Sequence, residues 1–381
     1  MLTAAERRSG ARAAEDRDVT EETMTDETTR TEPSSEPSSG QGSGQGSGEP
    51  PSAEPGPARP ARRRAPLLTD GLLLIDKEPG PTSHDVVQRA RRITGQKKTG
   101  HSGTLDPDAT GLLVLTLGRA TRLTRFLIRA PKVYAGTIRF GAATDTYDAS
   151  GEIAETAPPE AVEALDRGRV AEAMVGLTGE IDHRPPSYSA KKVGGKKLYE
   201  LARAGEEVPR ESKRVTVFDF EVTGELSRRD EADGLGGAEI DFRLACSSGT
   251  YARTLAHEVG GAVGTGAHLA ALRRLQVGPF RLEDAIRLAE LEEAAAAGGP
   301  PAKGWVPFDA IPLPFGEIAV DPQQEDRIAH GQTVLVRELA GDEGDWVRLS
   351  DRRGRFLAVG TIVERIGTGG VGIVQPRVVF K

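Results

Sequence analysis

The stretch GHSGTLDPDATGLL, residues 100–113, decides how this chain is read. Three glycines and Pro107 constrain its backbone, while His101, Asp106 and Asp108 are concentrated between two apolar elements. An Asp before Pro is a common turn opener, because its carboxylate bonds its own backbone. Residue chemistry alone therefore leaves a structural turn and a reactive loop both open.

Working outward, GLLVLTLG (111–118) is too apolar for an edge strand and is expected to be central. Upstream, GLLLIDKEPG (71–80) is a short apolar run closed by a Pro-Gly turn, which predicts a strand. Ser83 is the expected N-cap of HDVVQRARRITG (84–95), where Val86, Val87, Ala90 and Ile93 form a helical stripe. Strands are predicted at 132–141, 214–224 and 239–246. Helices are predicted at 159–176, 250–263 and 268–275. No regular βαβ rhythm results, so an α+β domain with a mixed, mainly antiparallel sheet flanked by helices is expected.

The run EEAAAAGGPPAKG (292–304) marks a boundary. Short strand-like pieces at 346–351, 355–364 and 371–380 predict a small C-terminal β-rich domain, a compact barrel. At the other end, Glu, Thr, Ser, Pro and Gly dominate, with GQGSGQGSG at 40–48. Such a segment buries too little apolar surface to offset its ordering entropy, so a disordered tail is expected. The division is a tail at 1–67, a mixed α+β domain at 68–303 and the β-rich domain at 304–381. Met24 offers an alternative start.

A net charge of −7 and a pI near 5.6 argue against nonspecific nucleic-acid binding. The sign is unevenly spread, however. Residues 1–65 hold 9 basic against 12 acidic side chains, 71–140 hold 12 against 5, and 184–214 hold 9 against 4. Two basic stretches thus sit in an acidic chain. Cys246 is the one cysteine, which excludes a disulfide framework or thiolate zinc site. No window reaches 18 apolar residues, and no apolar run follows Arg7 and Arg8, so an intracellular, soluble protein is expected.

Three motif matches fail on inspection. DPDATG (106–111) begins like a calcium loop but carries Thr110 and Leu117 where carboxylate or amide ligands belong. HEVGG (257–261) lacks a second zinc-binding histidine. GTGGVG (367–372) lies between two strands with no following helix, and reads as a hairpin loop rather than a dinucleotide site. No Walker motif is present. No cofactor and no metal are expected.

The loop 100–113 strongly resembles the catalytic motif of TruB-type tRNA pseudouridine synthases, G-H-[ST]-G-[TA]-L-D-P-x-A-T-G. Five further blocks are similar and in family order. They are DKEPGPTSHDVV (76–87); Tyr134 in KVYAGTIRFG with TDTYDASG (144–151); PPSYSAKKVGGKKLYELARAGEEV (185–208); SSGTYARTLAHEVG (247–260); and GAHLAALRRLQVG (266–278). Ser102 replaces the commoner threonine, and Ser248 stands where many members carry lysine.

The resemblance implies a pseudouridine-synthase fold with a PUA-like C-terminal domain, and isomerisation of the T-loop uridine of tRNA, position 55. It implies that Asp106 is the catalytic carboxylate, that Arg253 pairs with it, and that Tyr134 stacks on the flipped uracil. His101 would fill the vacated stack, Tyr251 and Leu272 would line the base pocket, and Asp148 would join them. A carboxylate suits the chemistry, being ionised at neutral pH and able to leave again. Flipping the base costs about a few kcal/mol, and stacking on an aromatic ring returns about 1–3. Arg89, Arg91, Arg92, Lys97 and Lys98, with Lys191, Lys192, Lys196 and Lys197, are candidate phosphate contacts, and the loop 191–208 a clamp on the T-arm. The partner expected is the tRNA T-arm and elbow, bound by a monomer in the cytoplasm, with no membrane. Two alternatives stay open: a non-catalytic tRNA-folding chaperone, and a synthase acting on another RNA.

Overall fold

The computed structural model describes residues 66–186, 192–193, 196–197, 211–229, 237–367 and 370–380. The tail expected at 1–67 lies outside these residues except for its end. There Leu67 donates its N–H to the Thr94 carbonyl and Leu68 is buried against the first helix.

Eight strands form the spine of the main sheet: β1 (Gly71–Lys77), β2 (Thr110–Leu117), β3 (Lys132–Phe140), β4 (Gly179–His183), β5 (Lys213–Val222), β6 (Gly237–Cys246), β7 (Ala267–Val277) and β8 (Trp305–Pro307). Their spatial order is β8-β1-β2-β7-β3-β6-β5-β4. Short strands at Thr99–His101, Ser227–Arg229 and Phe280–Arg281 attach at the side. Every neighbouring pair on the spine is antiparallel except β2 with β7, which run parallel where Thr110 and Gly111 meet Arg273 and Arg274. The mixed, mainly antiparallel sheet is the one expected.

Both faces of β1 and β2 are covered, which is why their sequences are continuous apolar runs. Leu73, Ile75, Leu113, Leu115 and Leu117 pack under α1 (Ser83–Thr94) and Leu291. Leu72, Leu74, Leu112 and Val114 share a core with Phe356, Val359, Val378 and Phe380 near the C-terminus. Further along the sheet, α2 (Arg167–Gly176) and α3 (Ala252–Val263) cover Ile138, Phe140, Phe242 and Leu244. Leu255, Val259 and Val263 of α3 follow the helical spacing and are buried there.

The cap of α1 lies one residue before the expected Ser83. Thr82 accepts the Asp85 N–H at its hydroxyl, and the Asp85 carboxylate accepts the Thr82 N–H, a reciprocal capping box. Ser83 is the first helical residue, and its hydroxyl serves another purpose, described below.

One element is a strand where a helix was expected. HLAALRRL (268–275) belongs to β7, which pairs with β3 along its length. Its register shifts between Leu269 and Ala271 and again between Arg274 and Gln276. Each bulge adds a residue and offsets the two-residue alternation, so leucines at 269, 272 and 275 mimic a helical spacing.

The C-terminal unit is a five-stranded sheet, β9 (Gly316–Val320), β10 (Val334–Val336), β11 (Trp346–Asp351), β12 (Phe356–Ile366) and β13 (Val371–Val379), in the order β9-β11-β12-β13-β10. It is β-rich, as predicted, and includes one helix, Pro322–Ala329. Residues 305–307 pair with β1 of the large sheet rather than with this unit.

Candidate active site

The loop 102–109 joins the short strand Thr99–His101 to β2, and polar side chains fasten it on three sides. Lys77, the last residue of β1 and 1 % exposed, donates from Nζ to the carbonyls of Pro107 at 2.7 Å, Ala109 at 2.8 Å and Glu78 at 3.1 Å. Burial lowers the pKa of this amine, while Asp108 and Asp106 oppose the shift. The Ser83 hydroxyl accepts the Leu105 N–H at 2.8 Å and donates to the Leu105 carbonyl at 2.9 Å. Arg274, from β7, donates Nε to the Leu112 carbonyl at 2.7 Å and Nη2 to the Gly103 carbonyl at 3.1 Å. A buried cation must be matched by acceptors, and here most of those acceptors are the loop's own carbonyls, with those of Glu78 and Leu112 beside it. The strand junction is equally tight. Gly111 has φ +97°, and a Cβ there would lie 2.3 Å from the Arg274 carbonyl oxygen, so only glycine fits.

The loop presents Asp106 to the N-terminal end of α3. Arg253, one residue into that helix, has a side chain 7 % exposed. Its Nε lies 3.2 Å from Asp106 Oδ2, and its Nη1 lies 3.0 Å from Asp148 Oδ2. Nη1 also donates to the Thr146 carbonyl at 3.3 Å. Asp148 is ordered in turn by its own loop, its Oδ1 accepting from the Thr146 hydroxyl and from the Ser150 N–H and hydroxyl. The guanidinium thus spans two carboxylates from different segments. The Asp106 side chain is 47 % exposed at the mouth of a crowded cleft. Burial there pushes its carboxyl above the usual carboxylate range; Arg253 opposes this and Asp148 adds to it.

This cleft is about 630 Å³ and is lined by Asp106, Asp108, Asp148, Arg253, Leu269 and Leu272 among others. Four residues singled out from the sequence therefore meet in one cavity: Asp106, Asp148, Arg253 and Leu272. Tyr134 does not line it. Its half-buried ring packs against the core under α3, and burial raises its phenol pKa with the nearby Arg274 guanidinium opposing. His101 also lies outside the lining. Its Nδ1 accepts the Gly103 N–H at 3.3 Å, and burial, with Arg274 adding, lowers its pKa. Tyr251 caps α3 from outside the cleft lining. Its N–H donates to His183 Nε2 at 2.9 Å and its ring stacks on that imidazole at 6.0 Å. Burial pushes His183 down to about 4, which keeps it neutral and able to accept.

Lys77 and Arg274 were given no role on sequence grounds, and Ser83 only that of a helix cap. A lysine closing the apolar run LLLID was a visible signal, since a charge there needs an interior partner. Arg274 was hidden by the helical reading of 268–275. Among the candidate phosphate contacts, Arg89 is held by Glu292 at 2.9 Å and Arg91 donates to the Thr99 carbonyl at 2.7 Å. Arg92, Lys97 and Lys98 are exposed. Lys191 and most of the loop 191–208 lie outside the described residues.

Residues 91–252 match the model of the TruB family pseudouridylate synthase N-terminal domain. Residues 253–300 match the tRNA pseudouridylate synthase B C-terminal domain, and 316–367 a pseudouridine synthase II TruB C-terminal model. A tRNA pseudouridine synthase B of Leifsonia xyli subsp. xyli (strain CTCB07) is 48 % identical over 279 residues, covering 73 % of this chain and 87 % of the relative. The chain belongs to the TruB family.

A second TruB relative, from Thermobifida fusca (strain YX), is 41 % identical over 82 % of this chain and 99 % of its own length. Among solved structures, a Cbf5-Nop10-Gar1 complex aligns with a TM-score of 0.60 at 26 % identity, covering 81 % of this chain and 85 % of the other. This agrees with the pseudouridine-synthase fold and a PUA-like C-terminal unit. The two carboxylates lie in the segment matching the TruB N-terminal model, and Arg253 is the first residue matching the next one. The ion pairs join the two family segments at the cleft.

Proposed function

We propose that this protein is a tRNA pseudouridine synthase that isomerises the T-loop uridine at position 55, with Asp106 as its catalytic carboxylate. The observation that carries the reading is the chain Asp106–Arg253–Asp148 in an open cleft of a TruB-family fold. The reaction breaks the bond between uracil N1 and the sugar, turns the base, and joins C5 to the same sugar carbon. A proton leaves C5 and one is taken up at N1, so no redox partner is needed.

Two routes are open to Asp106, attack on the sugar carbon and proton removal at the ribose 2′ position. Both start from the ionised carboxylate. Arg253 favours that form against the burial that disfavours it. The fixed loop supplies orientation, since a near-attack geometry requires the carboxylate to be held rather than free. In this reading Tyr134 stacks on the flipped uracil, His101 fills its place in the T-loop, and Tyr251, Leu272 and Asp148 bound the base pocket. Asp108, beside Asp106 in the cleft, is exposed and belongs to its rim.

The partner is tRNA, held at its T-arm and elbow by a monomer in the cytoplasm, without cofactor or metal. Among the described residues no helix is long and apolar enough to cross a membrane. Residues 68–303 form the catalytic domain and 304–381 the PUA-like RNA-binding domain, with Trp305–Pro307 reaching back onto the large sheet.

An unmodified tRNA transcript tritiated at uridine C5 tests the reading. Release of about one equivalent of tritium per tRNA, abolished by changing the T-loop uridine, is the expected outcome. Tight binding of that transcript with no release would leave the chaperone reading in its place.

A further inference from the structure

One loop residue is bent in a way its type disfavours. Tyr147, in TDTYDASG, has φ +66°, in the left-handed region. Glu338 is the other non-glycine residue there among the described residues. A side chain in this conformation costs conformational energy, so the surroundings must hold it. What holds Tyr147 is the imidazole of His257, stacked on the phenol ring at 4.0 Å with an interplanar angle of 15°. Main-chain bonds complete the grip: the Leu269 N–H donates to the Tyr147 carbonyl, and the Ala149 N–H to the Leu269 carbonyl, each at 3.0 Å.

His257 follows Arg253 by four residues on α3, so both project from one face of the helix. That face reaches the 144–151 loop twice in succession. Arg253 binds Asp148 and the Thr146 carbonyl, and His257 covers Tyr147 between them. The Ala267 main chain lies beside the imidazole, whose Nδ1 is buried without a partner.

We infer that Tyr147 and His257 are positioning residues. Their ring stack locks the 144–151 loop so that Asp148 meets Arg253 at a fixed angle, and Arg253 in turn meets Asp106. The inference rests on the reading of Asp106 and Arg253 as reaction-centre groups. Neither ring is part of the cleft lining, and both act on the site through Asp148 and Arg253. A loosened stack would let Asp148 and Arg253 drift while tRNA still binds, because the candidate phosphate contacts Arg92, Lys97 and Lys98 lie outside the 144–151 loop.

The test compares His257→Ala and Tyr147→Gly with His257→Phe and Tyr147→Phe, all in the full chain. Tyr147→Gly relieves the backbone bend and removes the ring, whereas His257→Ala removes the stack and keeps the bend, so the two together separate stack from strain. Single-turnover tritium release, the Kd for tRNA, and the melting temperature are measured for each. The first pair should lose about ten- to a hundredfold in rate, a scale set by small displacements at a reacting centre, with Kd within about twofold of wild type. The phenylalanine variants should recover most of the rate.

A second readout is the acid limb of the pH–rate profile. Asp106 is faced by Arg253, Asp148, Lys77 and Asp108. Displacing Arg253 removes the main group favouring its ionised form, so the limb should move to higher pH in His257→Ala. Wild-type rates and an unmoved limb in both His257→Ala and Tyr147→Gly would overturn the inference. So would phenylalanine variants as slow as His257→Ala and Tyr147→Gly. Absence of release from the wild-type protein would instead sink the functional reading itself, which keeps the two failures distinct.

Discussion

The loop 102–109 and the C-terminal β unit are both attached to β1 and β2, but by opposite means. The loop hangs on directional polar bonds from Lys77, Ser83 and Arg274, and buries few large side chains. The C-terminal unit is docked by apolar area, with Phe308, Phe356, Val359, Val378 and Phe380 packed on Leu72, Leu74, Leu112 and Val114. Arginines reinforce this dock from above. Arg119 lies over the Phe308 ring at 4.7 Å, Arg122 over Phe380 at 5.4 Å, and Arg125 over Trp346 at 4.7 Å. Hydrogen bonds fix angles, whereas buried area supplies free energy with little directional demand. Regions held the first way should fail in rate, and regions held the second way in stability.

The largest expected effect is at the tip of the polar loop. Asp106→Asn should lose several orders of magnitude in rate, as removal of a central catalytic group does. Its stability should move the other way. The carboxyl pKa is raised in the folded protein, so the folded state favours the neutral form. Ionisation of Asp106 therefore costs stability as pH rises from the ordinary carboxylate value to the raised one, and the cost vanishes only below the ordinary value. At pH 7 the asparagine variant should melt no lower than wild type, since Arg253 keeps Asp148 as its partner. Any excess stability of the variant should disappear on acidification. By the same sign, wild-type activity should fall on acidification earlier than an ordinary carboxylate would require. A variant that melts well below wild type at pH 7 would contradict the assigned direction.

The next effect separates the two attachments. Phe356→Ala removes a ring 1 % exposed that touches Phe308 and Phe380 at centroid distances of 5.1 and 4.9 Å. Loss of a buried phenylalanine costs about 3–5 kcal/mol, while the rate per folded molecule should stay near wild type. Arg274→Lys keeps the charge but loses the planar fork, leaving loop carbonyls unmatched at about 1–3 kcal/mol. It should lose more in rate than its melting shift implies. Denaturant titration beside single-turnover rates resolves the pair; equal rate losses in both variants would break the distinction.

Legibility followed the same division. Asp106, His101 and Asp108 fall within eight residues of one another, and their loop could be placed from its motif and flanking apolar runs. The central position of β2 was also readable, because a strand covered on both faces has no polar alternation. The fastening of the loop was not, since Lys77 and Arg274 lie far from it in sequence and bond to carbonyls, which every residue has. β7 was misread because two bulges erased its alternation. The division near residue 303 marked a change of composition, but composition does not record that Phe356 and Phe380 pack on Leu72.

The smallest expected effect concerns exposed charge, where neither angle nor area is at stake. Arg89 and Arg92 are three residues apart on α1, yet Arg89 is bound to Glu292 by two bonds of 2.9 and 3.0 Å. Arg92 is exposed. A cation engaged by a carboxylate must give up that partner to meet a phosphate, whereas a solvated one gives up only counterions and water. Arg92→Ala should therefore reduce the salt slope of tRNA binding by about 0.7–0.9, the value for one lost phosphate contact. Arg89→Ala should change it by less, with no resolvable change in melting, because exposed pairs contribute little to stability. Filter binding across a series of salt concentrations measures both slopes. Equal losses would mean that tRNA displaces Glu292, and the basic stretch would then act as a whole rather than through its more exposed members.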